Sequence, residues 1–446
     1  GEPTMDLWHM NINRFADAYK SPKFTLQRVK ENYEAYYDIH YPLEERMSAR
    51  GENKSPIYDW HKANGGVFGE KAAWERVNYY LNPTDNYQEA EKLRPNGWPG
   101  KNWHPAVVAE HHATRNFAGL FDESSFAKIK VSGKGSGEFL NLVCAANVVK
   151  GIDRTTYTQA LNSHGGIESD YTITQLADDE FLIITGTAFL NHDLGWLEKQ
   201  AREHKFDQLV IEDITKQLAC FGIWGPNARL ILQKLTDTDL SNQNFGFMQS
   251  KQIVVANKSL RATRITYVGE LGWELYIQPA DALTVWQALI AEGNKYGLRP
   301  CGYRAIESLR LEKGYRAWAG EINTETNPYE AGLGFAVSTK KPDFIGKKWL
   351  DQNKDKQSRK LTALTFDDIT DVAMGNEPIF INNQVIGRVK SAGSGYTINK
   401  GIAYAYLPIE HSKIGSTVEV EMFGIKKEAK ISAEPLFDPM GERIKS

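Results

Sequence analysis

The chain reads as an α+β protein, with two similar α+β layers followed by a small all-β domain. Three observations predict this. A strand, a glycine turn and a helix follow one another twice. The first run is Ala127-Lys-Ile-Lys-Val131, Gly133 and a helix from about Ser136 to Ala145; the second is Leu218–Trp224, Gly225-Pro226 and a helix through Asn227–Lys234. Helical spacing of apolar residues returns at Ala282–Ile290 and Tyr303–Lys313. After about residue 357 it vanishes, and short strands take over at Leu361–Phe366, Glu377–Lys390, Gly401–Tyr406, Thr417–Met422 and Lys427–Ile431, with Asn382-Asn383 as a hairpin tip. Short strands joined by turns predict a barrel or jelly roll at the end of the chain.

From the N-terminus, Gly1–Phe15 has no initiator methionine and is expected to be the exit from a larger fold. Residues 24–38 predict one helix from the spacing of Leu26, Val29, Tyr33 and Tyr36. The segment 41–100 is rich in Pro, Gly and Asn and carries Trp60, Trp74, Tyr79, Tyr80 and Trp98, which suits a packed, irregular connector better than a flexible linker. The whole chain's 446 residues are enough for several cores, with 41% hydrophobic and 24% charged residues. A net charge of −3, from 53 basic and 56 acidic residues, gives no field favouring nucleic acid or an anionic membrane. Apolar runs such as Phe181–Ile184 fall far short of the ~20 residues that span a bilayer, and no signal-peptide pattern opens the chain. Cys144, Cys220 and Cys301 are odd in number and widely spaced, so they read as buried thiols in a reducing compartment, neither a disulfide framework nor a metal site.

Two stretches carry chemistry. In Tyr267-Val-Gly-Glu270-Leu-Gly-Trp-Glu274 the two glutamates are four apart, so on a regular strand they share one face with Gly272 between them. A carboxylate accepts through two oxygens and can pair side by side with an N–H and an NH₂ group, the donor edge of a pterin or guanine. The alternative is a solvated edge strand with its charges pointing outward. In Gly165-Gly166-Ile-Glu-Ser-Asp170 an acid stands at the start of the alternating strand Tyr171–Leu176, as a site residue or simply a turn residue, with Glu168 and Ser169 as competitors. The helix Tyr303–Lys313 ends at Gly314, offers Arg304 and a Glu307–Arg310 neighbour pair, and is followed by Tyr315 and Trp318, suited to wall a planar ligand or to pack. Gly133-Lys-Gly135-Ser-Gly137 fails as a dinucleotide motif because Glu138 occupies the third glycine position. His111-His112, read as extended, would face opposite ways, and with His104 and His61 they are expected to pack rather than bind metal.

The order G-G-x-x-x-D, Y-x-G-E-x-G-x-E, S-L-R-L-E-x-G (Ser308–Gly314), P-Y-E-A-G-L-G (Pro328–Gly334) and a β-rich tail with Gly387-Arg-Val-Lys-Ser391 resembles the aminomethyltransferase family, the folate-binding T-proteins of glycine cleavage, over about residues 104–440. Ser55–Trp60 and Gly65–Arg76 resemble the connector of dimethylglycine and sarcosine dehydrogenases, and residues 1–20 the tail of their flavin module. The resemblance implies a flavin-module tail at 1–40, the aromatic connector at 41–103, a folate-binding domain of two ferredoxin-like-type α+β layers at 104–356, and a C-terminal barrel or jelly roll at 357–446. It implies tetrahydrofolate-dependent capture of the iminium from an oxidised N-methyl amine, dimethylglycine or sarcosine, as 5,10-methylenetetrahydrofolate. FAD would enter only through a flavin oxidoreductase module, linked or separate, that this chain lacks. The compartment would be the cytoplasm, or the mitochondrial matrix in a eukaryote. A folate-dependent S- or O-demethylase and a non-catalytic folate-binding assembly protein share the fold and are the alternatives. By matching position Asp170 is the catalytic acid, Glu274 grips the pterin edge, and Tyr157 and Tyr267 line its pocket. Glu270, Arg304, Tyr315 and Trp318 complete the expected folate set. Ile306 replaces the arginine of the T-protein helix, and Gly186 a frequent asparagine, for which Thr185 or Thr187 is the substitute. These departures weigh against the T-protein branch more than against the dehydrogenases.

Overall fold

The computed structural model describes residues 5–82 and 85–446. Residues 1–4, at the head of the expected flavin-module tail, and 83–84, in the aromatic connector, lie outside the described residues. The helix expected near the N-terminus is Pro22–Glu34, with the Ser21 side chain capping it and Pro22 in its first turn. Its inner face is Phe24 and Arg28, the latter paired with Glu70 at 2.6 Å. Leu26, Val29, Tyr33 and Tyr36 are all exposed, so their spacing marks the helix but not its buried side. The connector folds around an antiparallel hairpin, β1 (Gly66–Lys71) and β2 (Trp74–Tyr80). His61 ties it to the next strand, with Nδ1 2.6 Å from the Tyr80 hydroxyl and Nε2 2.8 Å from Asp122.

His111 and His112 lie on the helix His104–Asn116, contrary to the extended reading. His111 is buried there between the Ser308 and Thr397 hydroxyls at 2.8 and 2.7 Å. The chain continues through β3 (Ala118–Asp122), β4 (Ala127–Ser132), the helix Ser136–Val143, β5 (Thr155–Leu161), β6 (Ile167–Ala177), β7 (Glu180–Thr185), the helix Leu190–Glu203 and β8 (Val210–Asp213). A second run follows: β9 (Ala219–Trp224), the helix Ala228–Gln233, β10 (Ser250–Val255), β11 (Lys258–Thr263), β12 (Gly272–Ile277), the helix Ala282–Gly293, β13 (Leu298–Cys301) and the helix Tyr303–Lys313.

These strands make two sheets, of order β5-β6-β7-β4-β8 and β10-β11-β12-β9-β3-β13. Alternation gives each sheet one apolar face. Tyr171, Ile173, Phe181 and Ile183 pack under the helices of the first, while Phe221, Ile223, Trp273 and Leu275 pack under those of the second. The other faces meet each other: Leu182 and Ile184 from β7 share a cluster with Cys220 and Tyr276 from β9 and β12. The final strands β14 (Arg359–Phe366), β15 (Pro378–Ile381), β16 (Gln384–Gly395), β17 (Lys400–Pro408), β18 (Thr417–Met422) and β19 (Ile425–Ser432) close into a six-stranded barrel. Asn382 and Asn383, both at positive φ, make the β15–β16 turn. The barrel rests on the helix Tyr303–Lys313, where the Tyr404 hydroxyl donates to the Leu311 carbonyl at 2.8 Å. Among the described residues all three cysteines are free and buried, and no helix is long and apolar enough to cross a membrane.

Candidate functional site

Asp170 lies inside β6, opposite Gln159 of β5, whose amide donates to its Oδ1 at 3.1 Å. It stands on the face away from Tyr171 and Ile173 and remains partly exposed. Burial pushes its carboxyl up to about 6, with Asp193 adding in the same direction, against the hydrogen bonds of Gln159 and Tyr157. Tyr157, on the same face of β5, stacks against Phe335 with centroids 6.1 Å apart and planes at 25°. The hydroxyl of Tyr267 donates to the Arg316 carbonyl at 2.8 Å, and its ring stacks on Tyr315 at 5.9 Å and 15°. Asp170 and Tyr157 influence each other's proton affinity, and each also interacts with Tyr267. All four of Asp170, Tyr157, Tyr267 and Tyr315 are partly open.

Glu274 sits on β12 between Gly222 of β9 and Thr263 of β11. It points away from the core that holds Trp273 and Leu275. The Tyr276 hydroxyl donates to its Oε2. Burial raises its proton affinity, while that hydroxyl and the Lys128 ammonium pull it down. Gly272 starts the strand close against β9, where a Cβ would run into the Ile223 carbonyl. Thr172, two residues beyond Asp170, pairs with Ile184, and Tyr276, two beyond Glu274, pairs with Cys220. Ile184, Cys220 and Tyr276 belong to the cluster between the sheets. The two acids therefore stand on facing surfaces.

Other expected site residues are engaged elsewhere. Glu270 does not share a strand face with Glu274, because the ladder begins only at Gly272. Its carboxylate is instead paired with Arg115 at 3.0 Å and Arg443 at 2.9 Å. Arg304 is turned toward the connector, over the Trp103 ring at 4.6 Å, with Nη2 donating to the Leu43 carbonyl at 2.9 Å. Trp318 is buried against Phe189, and its Nε1 donates to the Ile167 carbonyl at 3.0 Å, bracing the strand that carries Asp170. Ile306 fills an apolar cluster with Val107, Phe121 and Trp224. Thr185 is bonded to Asp193 at 2.7 Å and Thr187 lies 3.0 Å from the Ser125 hydroxyl, so both are committed.

Sequence reasoning missed Gln159 and Tyr276, the two side chains that hold the acids. Hairpin register would point to the first, and the two-residue strand period to the second. The Glu307–Arg310 pair it expected forms at 2.5 Å, but it missed Glu321, which holds Arg310 from the other side at 2.6 Å.

The GCVT N-terminal domain matches residues 57–341, the glycine cleavage T-protein C-terminal barrel domain matches 359–438, and the FAD dependent oxidoreductase central domain matches 1–55. The chain is 36% identical over 441 residues to mitochondrial dimethylglycine dehydrogenase of Mus musculus, covering 98% of this chain and 50% of that enzyme. It thus spans about half the length of this relative. It is 33% identical over 344 residues to the aminomethyltransferase of Anoxybacillus flavithermus, covering 76% of this chain and 93% of that protein. Among solved structures, glycine cleavage system aminomethyltransferase T from Bartonella henselae superposes with a TM-score of 0.73 at 26% identity, covering 87% of this chain and 99% of the other.

Proposed function

We propose that this chain, which belongs to the glycine cleavage T-protein family, binds a reduced folate between its two sheets and passes to it the one-carbon unit of an oxidised N-methyl amine. The product would be 5,10-methylenetetrahydrofolate. The reading rests on the two acids on facing sheets, neither of which has an ion-pair partner among the described residues. A buried acceptor without a cation fits a neutral ring that brings its own donors.

When bound, the folate supplies the nitrogen nucleophiles that take up carbon. The carboxylate of Glu274 accepts the N–H and NH₂ edge of the pterin, with the Tyr276 hydroxyl fixing one of its oxygens. Tyr157, Tyr267 and Tyr315 wall the ring. Asp170, ionised above about pH 6, takes the proton lost at nitrogen and offsets the positive charge of an arriving iminium. Glu270 and Arg304 leave the folate-binding set and become structural, and Trp318 becomes a brace.

Dimethylglycine or sarcosine is the amine we favour, and a flavin oxidoreductase module, joined to residues 1–55 or separate, would hold the FAD that oxidises it. A reducing compartment, the cytoplasm or a mitochondrial matrix, suits the three free thiols. The test is Asp170→Asn. Tetrahydrofolate affinity should stay within a few-fold while methylene transfer falls by at least ~10²-fold; unchanged turnover removes Asp170 from the mechanism.

A further inference from the structure

Glu123 is the least explained acid in the molecule. It is fully buried, and neither carboxyl oxygen has a hydrogen-bond partner among the described residues. Leaving both oxygens bare costs free energy whatever the protonation state, and an isolated buried carboxylate costs most. Its backbone N–H donates to the Cys220 carbonyl at 2.8 Å, which extends the β3–β9 ladder by one residue. Glu123 therefore falls on the same face as Phe121, Cys220, Tyr276 and Glu274, while Leu120 and Asp122 fall on the other. Between Phe121 and Glu274 on that face stands Gly222, which has no side chain.

The nearby charges are already committed. Lys128 is buried, and its Nζ donates to the Ser124 and Phe126 carbonyls at 2.9 and 2.8 Å. Asp122, on the opposite face, is held by His61 and by the Ser124 hydroxyl and N–H. Cys220, Tyr276 and Tyr303 are buried or hydrogen-bonded groups held in their neutral forms. Glu274 remains as the group whose charge acts most on Glu123 after burial itself.

We infer that Glu123 and Glu274 form a carboxyl pair that holds a single proton, with Glu123 as the acid and Glu274 as the anion. Two like charges in a dry site do not both ionise. The assignment within the pair follows from partners: Glu274 has the Tyr276 hydroxyl as donor, and Glu123 has none. Glu123 is thus a positioning residue. By keeping the proton it leaves one negative charge, on the carboxyl that is not fully buried. Its link to a ligand rests on the folate reading above; the pair itself does not.

Infrared difference spectra of the whole chain, recorded first without ligand, test it. At neutral pH the wild type should show a protonated-carboxyl band that Glu123→Gln removes. Glu110, pushed up to about 8 by burial, adds a band of its own, so the signal is defined by that loss. In Glu274→Gln the Glu123 band should remain at neutral pH but titrate away at least about one pH unit lower, because the neighbouring charge is gone. No band lost in Glu123→Gln, or a titration that ignores Glu274→Gln, overturns the pair. With tetrahydrofolate added, the band should shift as the ring engages Glu274. A band unmoved by saturating tetrahydrofolate overturns the positioning role, and it does so separately from the Asp170→Asn test of the folate reading.

Discussion

Two groups of buried acids in this molecule have opposite surroundings. Glu270 and Glu312 are held by cations: Arg115 bridges them at 3.0 and 3.1 Å, and Arg443 adds a contact to Glu270. Asp170, Glu274 and Glu123 meet no cation within ion-pair distance among the described residues. Burial alone would raise Glu312, yet His111 and Arg115 bring it down to about 2. Asp170, without such help, is pushed up to about 6. The first group joins the helix His104–Asn116, the turn before β12, the helix Tyr303–Lys313 and the C-terminal residues. Its charges are spent on the scaffold. In the second group Asp170 and Glu274 keep acceptor capacity that no cation takes up, and motif reading alone does not separate the two groups, since Glu270 and Glu274 lie in one motif.

The contrast can be broken at either end. Arg115→Ala leaves two buried carboxylates short of a partner and should cost ~3–5 kcal/mol in urea unfolding; a loss below ~1 kcal/mol would mean the cluster is not structural. Glu274→Gln should instead leave the urea midpoint unchanged or higher, since it removes a buried charge. It should weaken tetrahydrofolate binding by about 1.5–3 kcal/mol, roughly 10- to 150-fold, by calorimetry. Trp318→Phe removes the donor to the Ile167 carbonyl and part of the ring packed on Phe189, and should cost ~1–3 kcal/mol of stability with folate affinity unchanged.

The smallest effect is in pH. Transfer should rise along an acid limb near pH 6 as Asp170 ionises, and Tyr157→Phe, by removing a hydrogen bond that favours the carboxylate, should move that limb upward. The stability sign is opposite. Folded Asp170 binds its proton more tightly than an unfolded aspartate of about 3.9. Its contribution is complete below that value and is lost as pH rises through about 6. Asp170→Asn should therefore gain stability on the wild type across that window, as read by thermal melts.

Local chemistry was legible in the sequence where a residue type decides the geometry. Asn382-Asn383 turns a hairpin because both residues tolerate positive φ, and Gly314 ends its helix in the left-handed region. The order of motifs singled out Asp170 and Glu274, and the fold sets them on facing sheet surfaces. What was not legible depends on distant partners. Glu270 is separated from Glu274 by where the ladder starts, which β9 and β11 decide. Arg304 is drawn to Trp103 and Leu43, far from it in sequence. The helix Pro22–Glu34 shows its apolar stripe to the outside, so periodicity alone would bury the wrong face.

The most direct measurement is a structure of the chain with tetrahydrofolate bound. The account expects the amino and N–H edge of the ring on the Glu274 carboxylate and the carbon-accepting nitrogen beside Asp170. A ring seated away from either acid, or on the Glu270–Arg115 cluster, would contradict it.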